Sequence, residues 1–168
     1  MNTPKTISLA IAGLIAIVIS LLVIQLLLKK SKSKSETDGK LKTSYGIWFI
    51  TLFVAISIVN YKMISILSEA IDNIYKMNTS NIIKETAKAT SLFIGLGAVW
   101  FVVWFYIANV FAIIIVGKRT EVKEMESDNH SYFLVKGILV IGFILSLLPI
   151  FETFLKLFMP SVDMPFYH

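Results

Sequence analysis

Apolar residues gather into four long runs, over about 7–28, 45–67, 91–116 and 133–158, with short polar segments between them. A bilayer core is about 30 Å thick and a helix rises about 1.5 Å per residue, so about 20 apolar residues cross it. Each run reaches that length. In hydrocarbon every backbone N–H and C=O must be paired within the protein, which leaves helices or closed barrels. Barrel strands are short and alternate in polarity, whereas these runs are long and continuous. The pattern predicts an all-α polytopic membrane protein, one four-span domain over residues 1–168.

The polar segments refine this picture. The first run is too long for a signal-peptide core, and Lys29 and Lys30 follow it with no small-residue cleavage site. It reads as a retained span. Residues 29–43 hold six lysines and no apolar period, which predicts a mobile, self-repelling linker. Trp48, near the start of the second run, suits an interfacial aromatic belt. Beyond Val59 the helical period continues. Ile64, Leu67, Ile71 and Ile74 form a stripe, and Asp72 and Lys76 are spaced for an i,i+4 pair. Asn78-Thr79-Ser80-Asn81 is a turn rich in helix-capping residues. Ile82, Ile83, Thr86, Ala87 and Thr90 then lead into the third run. The expectation is a helical hairpin with arms 44–77 and 81–117, each about 50 Å long, whose tip (68–90) stands about 15–20 Å clear of the bilayer. Ile64, Leu67, Ile71, Ile74, Ile82 and Ile83 would form the interface between the arms. Gly117 suits the end of the third helix, 118–131 is a charged loop, and Pro149 predicts a kink in the fourth helix. Residues 159–168, with Pro160 and Pro165, predict an irregular tail.

Charge sets an orientation. Nine lysines and arginines lie in the 29–43 and 117–131 segments, against four in the N-terminal tail and the 68–90 segment. The positive-inside rule then places the lysine-rich linker in the cytoplasm and both termini outside, in a bacterial inner membrane. The net charge of +5 arises from lysines flanking the spans, so no nucleic-acid partner is expected.

The chemistry on offer is sparse. The chain has no cysteine, and its two histidines, His130 and His168, lie outside the apolar runs. Thiolate metal sites, iron–sulfur clusters and haem held between transmembrane histidines are excluded. There is no phosphate-binding glycine loop, H-E-x-x-H or G-x-S-x-G. No catalytic residue, cofactor or metal site is expected.

Five features remain. Lys62 and Glu152 lie 15 residues past Ile47 and Gly137 on spans that run the same way, hence at matching depth, about 22 Å into the core. They form a candidate intramembrane ion pair, read first as a structural contact eased by snorkelling and second as part of a proton or cation path. Ser8, Ala12, Ala16 and Ser20 recur every four residues, a stripe that lets another helix approach closely. Trp100, Trp104, Tyr106 and Asn109 cluster at mid-span and read as packing before any lipid or quinone pocket. The lysine linker reads as a topology signal that can also meet anionic headgroups. A two-helix hairpin alone in water buries little and is marginal, which calls for a partner. The functional expectation is a non-catalytic integral subunit or scaffold of a larger membrane complex, with lipids and other subunits or copies of itself as partners. The alternative is an oligomeric ion-conducting pore or small transporter component.

Overall fold

The computed structural model describes residues 3–77 and 81–160. Helix α1 spans Thr3–Lys32; a two-stranded antiparallel hairpin follows, β1 (Glu36–Thr37) and β2 (Lys40–Leu41). Then come α2 (Thr43–Lys76), α3 (Ile82–Val116), a short α4 (Glu121–Glu126) and α5 (His130–Lys156). The fold is all-α, and α1, α2, α3 and α5 are each long and apolar enough to cross a membrane.

Helix α2 is the hub. It packs on α1, α3 and α5, and its contact with α5 is the most extensive in the molecule. The sequence explains why. Leu52, Ala55, Ile56, Val59, Met63, Ile66, Leu67, Ala70, Ile71 and Ile74 recur singly or as adjacent pairs once per turn, and all are buried. This stripe is wide enough for several neighbours. Helices α1, α3 and α5 keep large apolar side chains such as Leu14, Ile114 and Ile138 on their outer surfaces. Such exposure is costly in water and ordinary in hydrocarbon.

The hairpin of α2 and α3 is not free-standing. Lys5, near the start of α1, pairs with Asp72 on α2, and Asn73 Nδ2 donates to Pro160 O at 3.1 Å. Helix α1 and the turn after α5 therefore reach almost to the end of the hairpin arms. The expected Asp72–Lys76 pair gives way to Lys5. Leu67, Ile71 and Ile74 are buried, and Ile64 and Ile82 half-buried. Ile83 is 86% exposed and takes no part in an interface. The inward face of α3 is instead Thr86, Ala89 and Phe93, one turn apart from Ile82 onward, and Ile83 falls on the next face round. The turn at 78–80 and the tail 161–168 lie outside the described residues. Asn81 precedes α3 without a side-chain capping bond. Pro149 does not divide α5, which runs on to Lys156.

The loop after α3 is a folded end-piece. Gly117, at φ +85°, ends α3. Asp128 N and Asn129 N then donate to Met125 O and Glu124 O, with Asp128 left-handed at φ 51°. This is a Schellman ending for α4, with aspartate where glycine is commoner. Asn129 Oδ1 accepts from Tyr132 N at 3.2 Å and so caps α5.

Candidate functional site

Two polar centres stand out. The first lies between α2 and α5, where Lys62 Nζ is 2.5 Å from Glu152 Oε2, the two side chains being 27% and 30% exposed. Lys156, one turn on, approaches Glu152 Oε1 at 2.8 Å. The parallel α2 and α5 bring these residues level, and two lysines share one carboxylate. The arrangement ties the two most closely packed helices together.

On α1 the small-residue stripe faces inward. Ala12, Ala16 and Ser20 are buried and Ser8 is half-buried. Ser20 Oγ donates to Ala16 O and accepts from Asn60 Nδ2, both at 2.7 Å. The stripe is thus spent on packing within the chain, and Ser20–Asn60 locks α1 to α2. Interhelical hydrogen bonds of this kind contribute about 0.6 kcal/mol on average and at most about 1.7. Ser20→Ala is therefore expected to destabilise the protein by about 1 kcal/mol, read from an unfolding titration in detergent.

The second centre is at the lysine-rich end, and charge counting alone did not reveal it. Lys136 is only 4% exposed. Its ammonium pairs with Glu121 and sits 5.0 Å from the Trp48 ring centre and 5.7 Å from that of Tyr132. Trp48 is fully buried, with Phe105 and Phe133 rings 6.1 and 5.7 Å away. Helix α5 and its cation cover the indole, so Trp48 faces the inside of the bundle. Trp100 and Trp104 pack edge to face, and Trp100 stacks on Phe151 at 5.0 Å.

The linker folds onto this centre. Its Asp38-Gly39 pair adopts positive φ at both residues, the two-residue turn that suits a twisted hairpin. Lys34 pairs with Glu126 at 2.9 Å, and Lys42 Nζ donates to Met125 O and Glu126 O at 3.1 and 2.9 Å. Those carbonyls end α4, where a cation is favoured. Ser31 Oγ reaches Glu121 at 3.4 Å. The expectation of a mobile linker is corrected: carboxylates and carbonyls from α4 offset the lysine–lysine repulsion.

Asp128 joins the end-piece to α2 by accepting from Ser44 N at 2.9 Å. That backbone bond, with the Ser44 hydroxyl second, holds the Asp128 carboxyl below the usual aspartate range. The stabilisation is complete above the unfolded value of about 3.9 and is lost as pH falls through the lower folded value. Asp128→Ala is expected to cost about 1 kcal/mol at neutral pH through loss of a cap. Asp128→Asn keeps an acceptor and the left-handed backbone, so its deficit against the parent should shrink below about pH 4 as the parent is protonated. Parallel acid titrations of thermal stability check both.

These features define an all-α protein with four candidate membrane spans, held by one polar centre between α2 and α5 and another at the lysine-rich end. No protein-family model, curated protein or solved structure matches the chain.

Proposed function

We propose that this chain is a non-catalytic integral membrane subunit or scaffold that acts by lateral helix packing, with both termini outside and the lysine-rich end in the cytoplasm of a bacterial inner membrane. One observation carries the reading. On α5, Gly142 and Ser146 are exposed, four residues apart, along an apolar groove of about 570 Å³ shared with α3. A Cβ added at Gly142 would meet nothing within 4 Å. Small residues at this spacing let a second backbone approach closely. The stripe on α1 is already occupied, whereas this one is open. Instability of the hairpin no longer argues for a partner, since α1 and the turn after α5 buttress it.

The test is co-purification in mild detergent. A membrane partner, or a second copy, is expected at fixed ratio and should be lost in Gly142→Leu. A monomer that behaves identically with and without Gly142→Leu overturns the reading. The orientation has its own test in the cysteine-free chain. Lys40→Cys and Ile83→Cys, both at exposed positions, should label from opposite sides of the membrane.

A further inference from the structure

At the lysine-rich end a cleft of about 500 Å³ opens between the last turns of α1 and α3, α4, and the first turns of α5. Its chemistry changes with depth. Toward the middle of the bundle its wall is Leu26, Tyr106 and Ile113, all exposed on the outer surface. These residues belong to candidate spans, so the cleft opens sideways toward hydrocarbon. At the other end stand Lys30, Arg119 and Lys136, with the carboxylate of Glu121. Lys136 uses that carboxylate. Arg119 has only a half-exposed contact with Glu124 at 3.4 Å. Among the described residues Lys30 has no ion-pair partner. Asn109 also lines the cleft, one turn deeper on α3 than Ile113.

Cations at one end and an apolar slot open toward hydrocarbon below them match the order of phosphate and acyl chain in one kind of molecule. We propose that this cleft binds an anionic phospholipid, with Lys30 and Arg119 on the phosphate and an acyl chain along Leu26 and Ile113. A soluble phosphate ester shares the charged chemistry but leaves the slot unmet. Basic pockets between helices on the cytoplasmic side are suited to such headgroups. The cleft shares no residue with the Gly142 groove, so either proposal can fail alone.

The experiment is native mass spectrometry of the full chain, released from micelles after titration with phosphatidylglycerol or phosphatidylcholine. At about 1 kcal/mol per basic residue, two cations amount to a preference of roughly 30-fold for phosphatidylglycerol. Lys30→Gln with Arg119→Gln is expected to abolish it. Lys32→Gln with Lys40→Gln removes equal charge from exposed positions outside the cleft and should leave it intact. Ile113→Trp, which fills the slot from its outer edge, should cut retention without lowering the melting temperature in lipid-free detergent, so the test survives if the charge variant misfolds. The proposal is overturned if the parent shows no preference. It is also overturned if the control pair loses as much as the cleft pair, or if glycerol 3-phosphate displaces phosphatidylglycerol as effectively as a short-chain phosphatidylglycerol does.

Discussion

Glu121→Ala is expected to destabilise the protein by about 3–5 kcal/mol, the range for removing one partner of a buried ion pair. The reason lies in what surrounds Lys136. The side chain is almost wholly enclosed, and without Glu121 its ammonium loses its ion pair and keeps the Trp48 and Tyr132 rings. A desolvated cation–π contact contributes about 2 kcal/mol, too little to offset the desolvation of an unpaired cation. Ser31 would lose its contact with the same carboxylate, loosening α1 from α4. The opposite variant should be milder. Glu121 is 23% exposed, so in Lys136→Met its carboxylate can turn toward water. Combining the two changes should recover most of the loss, because an apolar pair of similar volume often replaces a buried ion pair at little cost. The cycle would therefore be strongly non-additive, with Glu121→Ala worst, Lys136→Met intermediate and the double variant nearest the parent. Denaturant titration in micelles gives all three values. Equal losses for Glu121→Ala and the double variant would mean that Lys136 is not the group stranded by the mutation.

The spans were legible because each rests on one local property, an apolar run of sufficient length. The level of Lys62 with Glu152 was legible for a related reason: α2 and α5 run the same way, and equal residue counts give equal depth. The spacing of Ser8, Ala12, Ala16 and Ser20 marked a surface for close helix approach, and left open whether a helix of this chain or another would fill it. What stayed hidden depends on partners distant in sequence. Six lysines in 29–43 read as repulsion, yet Lys34 and Lys42 find Glu126 and the end of α4 more than 80 residues away. Glu121 and Lys136 belong to different elements, and no helical period links them. Nothing near Trp48 in sequence shows that α5 covers it. Two local signals were present and unread. Asp38-Gly39 between short polar segments is a hairpin turn, and Ser127-Asp128-Asn129 can close one helix and cap the next. Ile83 was assigned to the wrong face because the inward stripe of α3 runs 82, 86, 89, 93, and Ile83 lies on the next face round, 86% exposed.

Gly137→Ala opposes two physical effects with different signs. Helix propensity favours alanine over glycine by about 1 kcal/mol in a helix interior. Packing forbids it here. A Cβ at Gly137 would lie 2.7 Å from Thr51 Oγ1, 2.8 Å from its Cγ2 and 3.2 Å from its Cβ. Thr51 is stiff at χ1, and its hydroxyl is held by donation to Ile47 O at 2.9 Å. The threonine cannot swing aside without breaking that bond, so α5 must move off α2 along their shared seam. Overpacking of this kind costs about 1–3 kcal/mol, which exceeds the propensity gain, and the net effect should be a loss of stability. Gly142→Ala on the same helix isolates the other effect. With nothing near its added Cβ, it should be neutral or stabilising in the protein without a partner. Thr51→Ala removes Oγ1 and Cγ2 but leaves Cβ in place, so it should recover part of the Gly137→Ala loss. Unfolding midpoints of the four proteins in one detergent decide the matter. A Gly137→Ala protein at least as stable as the parent would mean that α2 and α5 are not in contact at Thr51. The level placement of Lys62 and Glu152, which depends on the same seam, would then fall with it.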